Sequence, residues 1–208
     1  MPTKILNLAV RVSGSGTTLA NLIDQIAART LDARIAVVIG SKPDLLALKR
    51  AADAKIMNFV VDRREFSSVA DFSKNVFALC DDASVDLVCL AGWLCLLEIP
   101  GKYTGKVMNI HPALLPSFGG KGMFGQRVHE AVLEHGCKVS GCTVHFVDGD
   151  YDAGPIILQR TCEVRDDDTP QTLAARVFEQ ERIAYPEAIR LFAQGRLTIE
   201  GRRVHIKK

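Results

Sequence analysis

Apolar residues follow two alternating rhythms along the first half of this chain. Nearly continuous apolar runs at residues 5–12, 35–39, 56–61 and 85–91 read as strands. The stretches between them read as helices, at residues 19–26, 45–54 and 69–79. In the first of these, Leu19, Leu22, Ile23 and Ile26 share one face. The order βαβαβαβ, with strands apolar on both sides, predicts a parallel sheet with right-handed crossovers and helices on both faces.

The rhythm changes after about residue 100. Residues 106–110 predict a strand and residues 126–134 a helix. Strands at 139–147 and 155–164 flank the loop "DGDYDAG". A long helix is predicted over 170–193, then a small hairpin over 197–206 that turns near Gly201. The fold class predicted is α/β: a mostly parallel twisted sheet, Rossmann-like, becoming mixed in the C-terminal half. No repeat, linker or low-complexity segment interrupts the 208 residues. The chain reads as a single domain, 1–208, in two halves, 1–100 and 101–208.

Composition narrows the function. A net charge of +2 and the lack of a long basic block argue against a nucleic-acid partner. No apolar stretch reaches the roughly 18 residues of a membrane span. Six cysteines without a C-x-x-C pair, and no secretory opening, read as a reduced, cytoplasmic protein with mostly structural thiols. Asp166-Asp167-Asp168 reads as a solvated loop capping the next helix.

Three segments carry candidate chemistry. "SGSGTTL", residues 13–19, joins the first strand to the first helix. Main-chain N–H groups at such a turn face a bound anion, and the helix dipole favours negative charge there. It is no Walker A loop, since no Gly-Lys-Ser/Thr ends it, and Leu19 replaces the third glycine of a dinucleotide fingerprint. A single phosphate monoester fits.

"VMNIHPALLPS", residues 107–117, ends a strand in Asn109-x-His111-Pro112. Residues two apart on a strand project to one side. The amide of Asn109 and the imidazole of His111 together suit a carbonyl oxygen that becomes negative during attack. In "DGDYDAG", Asp148, Asp150 and Asp152 alternate. The glycine is misplaced for a calcium loop, and Gln159 stands where an EF-hand needs glutamate. A carboxylate that orients an imidazole is the better reading, and the residue pattern leaves open which aspartate supplies it. His145 alternates within its strand and reads as structural; His129, His135 and His205 carry less signal.

Taken in order, "SGSGTTL", "VDLVCLAGW", "MNIHPALLPSF", "GCTVHFVDGDYDAGPIILQ" and "ARVFEQERIAYP" resemble the formyl-folate transferases that act on glycinamide ribonucleotide. The resemblance implies transfer of a formyl group from 10-formyltetrahydrofolate, as co-substrate, to the glycyl amine of 5'-phosphoribosylglycinamide in purine synthesis, without a metal. It implies Asn109, His111 and Asp152 as catalytic residues, with Asp152 holding His111 charged. It implies Gly16, Thr17 and Thr18 as the phosphate turn and Glu181 as the acid on the ribose hydroxyls. Leu94, Cys95, Leu96 and Leu97 would line the folate pocket, with Asn109, Val147 and Asp148. Residues 1–100 become the phosphate-binding half and 101–208 the catalytic and folate-binding half. Gly119 to Gly122 would form a mobile flap. Partners would be small molecules only, and the protein a monomer or homodimer.

The chain departs from its relatives in places. Thr17-Thr18 stand for a frequent Ser-Asn, Cys95 for an Arg, and Phe178 for a polar residue. No Arg opens the helix near Ser68; Arg63 and Arg64 are the nearest substitutes. Two rival readings are a formyl-folate transferase for an amino sugar and a non-catalytic nucleotide-binding module.

Overall fold

A computed structural model describes residues 5–207. It divides into two compact units, one up to Met108 and one from Asn109. The division falls inside a strand, eight residues beyond the boundary expected from the change of rhythm.

The first unit contains strands β1 (Leu6–Val12), β2 (Ala33–Gly40), β3 (Asn58–Val60) and β4 (Leu87–Leu90). Helices α1 (Thr17–Ala27), α2 (Leu46–Asp53) and α3 (Val69–Asp82) alternate with them. The strands lie in the order β3-β2-β1-β4, all parallel. Leu8, Val10, Val37, Val38, Leu87 and Val88 are wholly buried, as continuous apolar strands require. β3 differs from expectation: it keeps only three residues, and Phe59 and Val60 are exposed. It pairs with β2 alone, so half of its backbone groups meet no ladder and its side chains gain less burial.

Arg11 is the anomaly of this core. It sits in β1 between Ile39 of β2 and Leu90 of β4, with no exposed surface. Its guanidinium lies 4.8 Å from the Phe77 ring centroid and 5.6 Å from that of Trp93. Nη2 reaches the Cys80 sulfur at 3.6 Å, while Nε and Nη1 have no hydrogen-bond partner among the described residues. Aromatic faces and a polarizable sulfur replace the carboxylate that a buried cation normally takes.

The second unit carries most of β5 (Val107–His111), then α4 (Gln126–Glu134), β6 (Val139–Phe146), β7 (Ile156–Glu163), α5 (Pro170–Ala193), β8 (Leu197–Glu200) and β9 (Arg203–Ile206). Its strands lie in the order β5-β6-β7-β9-β8, with β6–β7 and β8–β9 antiparallel and β7–β9 parallel. The α/β class and the mixed C-terminal half therefore hold. Gly201 turns the terminal hairpin with φ at +58°.

α5 packs on β6 and β7 and begins as its sequence dictates. Thr169 and Thr172 form a reciprocal cap, and Pro170 takes the first turn, where no N–H is needed. The acidic run before it divides its tasks. Asp166 meets Lys138 in solvent, whereas the Asp168 side chain is almost fully covered and takes both Arg176 nitrogens, at 2.6 and 2.9 Å. Asp168 is thus a buried clamp on α5 rather than a solvated residue, and the arginine pair holds its carboxyl far below the usual range.

Candidate active site

The second unit brings together three of the residues singled out from sequence and a fourth that was not. β5 ends in Asn109 and His111, whose side chains share one side. The loop after β6 carries Asp152, held in the left-handed region at φ +52°. Aspartate tolerates that conformation better than most residues. The turn aims its carboxylate at β5.

Asp152 is the hub. Oδ1 accepts from Asn109 Nδ2 at 3.2 Å, and Oδ2 accepts from the Gly120 N–H at 3.0 Å. Oδ2 also lies 3.4 Å from His111 Nδ1, and Oδ1 lies 3.6 Å from Nε2 of His145. The side chains are 11% exposed for Asp152, 5% for His111 and 2% for His145, so these contacts act in a medium that screens poorly. Asp148 does something else: its Oδ1 accepts from the Asp150 N–H and shapes the loop. Geometry thus separates the three aspartates that sequence pattern left equivalent.

His145, read from sequence as structural, belongs to this cluster. Its Nδ1–H donates to the Phe146 carbonyl at 2.8 Å. Its Nε2 is therefore free to accept from Asn109 Nδ2, 3.1 Å away. Both N–H groups of Asn109 are then engaged, one by His145 and one by Asp152. The sequence signal was present but weak: in β6 the residue lies in the same stretch as the acidic loop, three positions before it.

Ionisation follows from these surroundings. Burial lowers the pKa of His111 below the ordinary histidine range; Asp152 and the Phe118 carbonyl oppose this without overcoming it. Burial thus works against the charged ring that Asp152 favours. Burial acts to raise the Asp152 carboxyl, but interactions at its oxygens, the Gly120 N–H among them, outweigh this and hold it below the usual range. The carboxylate is ionised.

Glu181 lies on α5 of the same unit, half-buried, with its carboxyl pushed up to about 8 by burial. It carries a proton near neutrality until a ligand changes its surroundings. Val147 and Asp148 follow β6 and are half-buried.

The first unit holds the other expected groups. Gly16 precedes α1 with φ at +73°. A Cβ there would come 2.6 Å from the Ala47 Cβ, so glycine is demanded by backbone and by packing. α1 has no side-chain cap and no acid in its first turn. The main-chain N–H groups at Thr17 and Thr18 thus open a helix whose positive end is uncompensated. Arg50, unnoticed in the sequence, donates from Nε to the Ser15 carbonyl at 3.1 Å and puts a cation at this loop.

Leu94 to Leu97 lie outside helix and strand. Leu97 is core, while Leu94 is 43% exposed with its N–H on Ser13 Oγ of the glycine loop at 3.3 Å. The segment therefore combines a packed residue with an exposed one. Burial raises the Cys95 thiol, so it is no nucleophile near neutrality. Arg63 and Arg64 are both engaged locally: Arg64 pairs with Asp62 at 2.6 Å, and Arg63 donates to the Phe66 carbonyl at 2.7 Å.

Comparisons with known proteins identify the family. The formyl transferase family matches over residues 6–189. The trifunctional purine biosynthetic protein adenosine-3 of Gallus gallus is 40% identical over 95% of this chain, which spans about a fifth of that protein (19%). The phosphoribosylglycinamide formyltransferase of Haemophilus influenzae is 35% identical over 93% of this chain and 90% of its own. The crystal structure of glycinamide ribonucleotide transformylase 1 from Symbiobacterium toebii superposes with a TM-score of 0.90 at 42% identity, covering 98% of this chain and 95% of that one. A match across most of the chain, with relatives of similar length, establishes that this protein belongs to the formyl transferase family.

Proposed function

We propose that the protein transfers a formyl group from 10-formyltetrahydrofolate to the glycyl amine of 5'-phosphoribosylglycinamide. The observation that carries this reading is the convergence of Asn109, His111 and His145 on the ionised carboxylate of Asp152. Such a cluster has donors for a developing oxyanion and a base for an amine proton, and it needs no covalent intermediate on the enzyme.

The steps follow from the contacts. The amine nitrogen bonds to the formyl carbon, and the carbonyl oxygen takes the displaced electron pair. The Asn109 N–H now on Asp152, the longer of its two bonds, is handed to that oxygen. His111 Nδ1, 3.4 Å from Asp152, shares the proton that the amine sheds and so places positive charge beside that oxygen. Asp152 accepts the proton shed by the amine and returns it to the folate nitrogen as the carbon–nitrogen bond to folate breaks. Each catalytic group ends as it began.

Gly16, Thr17 and Thr18 are assigned to the acceptor's phosphate, with Arg50 as a nearby cation, and Glu181 to the ribose hydroxyls. Leu94 to Leu97, Val147 and Asp148 are assigned to the folate. An anion-ready helix end and an acid for hydroxyls favour a ribonucleotide over an amino sugar. Free thiols throughout suit a reducing, cytoplasmic setting.

The deciding experiment offers the protein 10-formyltetrahydrofolate with glycinamide ribonucleotide, with an amino sugar, and with neither. Formyl loss dependent on the ribonucleotide supports the assignment. Loss with the sugar alone, or with no acceptor, refutes it.

A further inference from the structure

The C-terminal hairpin is joined to the sheet by little main chain. β8 and β9 have four residues each, and β9 meets β7 at one register pair, Ile156 opposite Arg203. Ile199 and Ile206 are 39% and 43% exposed, so apolar packing adds little hold. A two-stranded hairpin of that size is marginal in water by itself. One side chain in its turn reaches further. Arg202 donates from Nη2 to the Ala153 carbonyl at 2.8 Å, across 49 positions of sequence.

Ala153 directly follows Asp152. Beyond it, Gly154 is pressed against β6, and a Cβ there would collide with the Phe146 carbonyl oxygen. The Phe146 N–H donates to the Pro155 carbonyl at 2.9 Å. The chain is thus pinned at 154–155. Before Ala153, Asp152 occupies the left-handed region at φ +52°, which a residue other than glycine keeps only where its surroundings enforce it. A planar peptide leaves two soft torsions per residue. With Gly154 pinned and its own carbonyl held, Ala153 has little freedom to turn. A bond from a guanidinium is charge-assisted, so this hold is firmer than one between neutral groups.

We propose that Arg202 is a positioning residue for formyl transfer: from the turn of the C-terminal hairpin it holds the Ala153 carbonyl and so fixes the angle at which Asp152 presents its carboxylate to Asn109 and His111. The proposal rests on the reading that Asp152 takes part in the transfer. The carboxylate has to meet Asn109 Nδ2 at 3.2 Å and the Gly120 N–H at 3.0 Å together, and a small rotation of the turn would lengthen one or both. The hairpin thereby acts as a brace on the acidic loop, tied to it by a side chain where the strands supply one pairing.

The test compares three variants in the full chain: Arg202→Ala, Arg202→Lys and Arg203→Ala. Both arginines are exposed, so each variant should fold, and Arg203 is the control for loss of the same charge from the same hairpin. The readouts are kcat, the two KM values, and the Asn109 side-chain amide signals by 15N NMR without ligand. In Arg202→Ala kcat should fall about tenfold, with both KM values within about twofold, and the Asn109 signals should move. Arg202→Lys keeps a cationic donor and should recover much of both. Arg203→Ala should change neither. A folded Arg202→Ala protein with the parent's kcat overturns the proposal. So does an equal loss in Arg203→Ala, or a loss of kcat with the Asn109 signals unmoved. Near-normal turnover by Asp152→Asn removes the reading beneath it, whereas an unchanged Arg202→Ala beside an inactive Asp152→Asn removes the positioning role alone.

Discussion

His111 Nδ1 lies 3.4 Å from Asp152 Oδ2, and burial still pulls the imidazole pKa below its ordinary value. The carboxylate thus counters the desolvation of His111 without reversing it. Asp152→Asn keeps the shape and removes the charge. Its amide would also meet either Gly120 or Asn109 with a donor where an acceptor stood. kcat should fall about 10²-fold or more, with smaller changes in substrate binding. The His111 ring should titrate at still lower pH, which NMR can follow. Asp148→Asn and Asp150→Asn, which leave the hub intact, should be milder. Equal damage from either would remove Asp152 from its assigned role.

Glu181 supplies a prediction in pH. Its folded pKa, about 8, lies above the ordinary glutamate value of 4.5. The folded state therefore holds a proton that the unfolded state releases between those values. Stability from this group is full below about pH 4.5 and is lost as pH rises towards 8. Glu181→Gln cannot ionise, so its Tm should overtake the parent's progressively across that window. If the carboxylate contacts ribose hydroxyls, acceptor affinity in the parent should strengthen through pH 8, and the glutamine variant should lack that rise. Parallel pH profiles in both properties would show that Glu181 is not the titrating group.

The glycine loop has to be probed away from Gly16. Positive φ and the approach to Ala47 make any side chain at 16 a folding defect before it is a binding defect. Gly14 has no atom within 4 Å of a built Cβ and no positive φ. Gly14→Val should fold normally and raise the KM for the ribonucleotide while sparing that for the folate. A loss shared equally by both ligands would place the phosphate elsewhere.

Arg11 is a stability experiment. Its desolvation is offset only by aromatic faces, the Cys80 sulfur and packing. A cation over aromatic rings gains about 2 kcal/mol when desolvated, less than burying an unpaired charge costs. Arg11→Met keeps an unbranched side chain of similar reach and removes the charge. Denaturant unfolding should give a stability equal to the parent's or higher by about 1–4 kcal/mol, the range found when buried charged groups are replaced by well-packed apolar ones. A clear loss of stability would mean that the cage stabilises more than desolvation costs.

Much of the architecture was legible in one dimension. Strand and helix periods are local properties of the chain, and the β1-to-α5 order emerged from them with ends displaced by only a few residues. The pairing of Asn109 with His111 was equally local, because a strand's period of two sets both on one side. The terminal hairpin and the cap of α5 followed from Gly201 and from Thr169-Pro170, whose backbone preferences act without distant partners.

Other features belong to the tertiary structure alone. β3 is short and exposed because it ended at an edge, which its apolar sequence could not state. Asp152 was chosen from three alternating aspartates by a left-handed turn that brings its carboxylate to residues 41 and 43 positions earlier in the chain. His145 joined the cluster only when β6 had folded, since alternation along a strand does not say what lies opposite. The lowered pKa of His111, the raised pKa of Glu181 and the cage around Arg11 all depend on solvent exclusion. Sequence names the ionisable groups; their charge is decided by how much water the fold leaves beside each one, a property of many distant segments packed together.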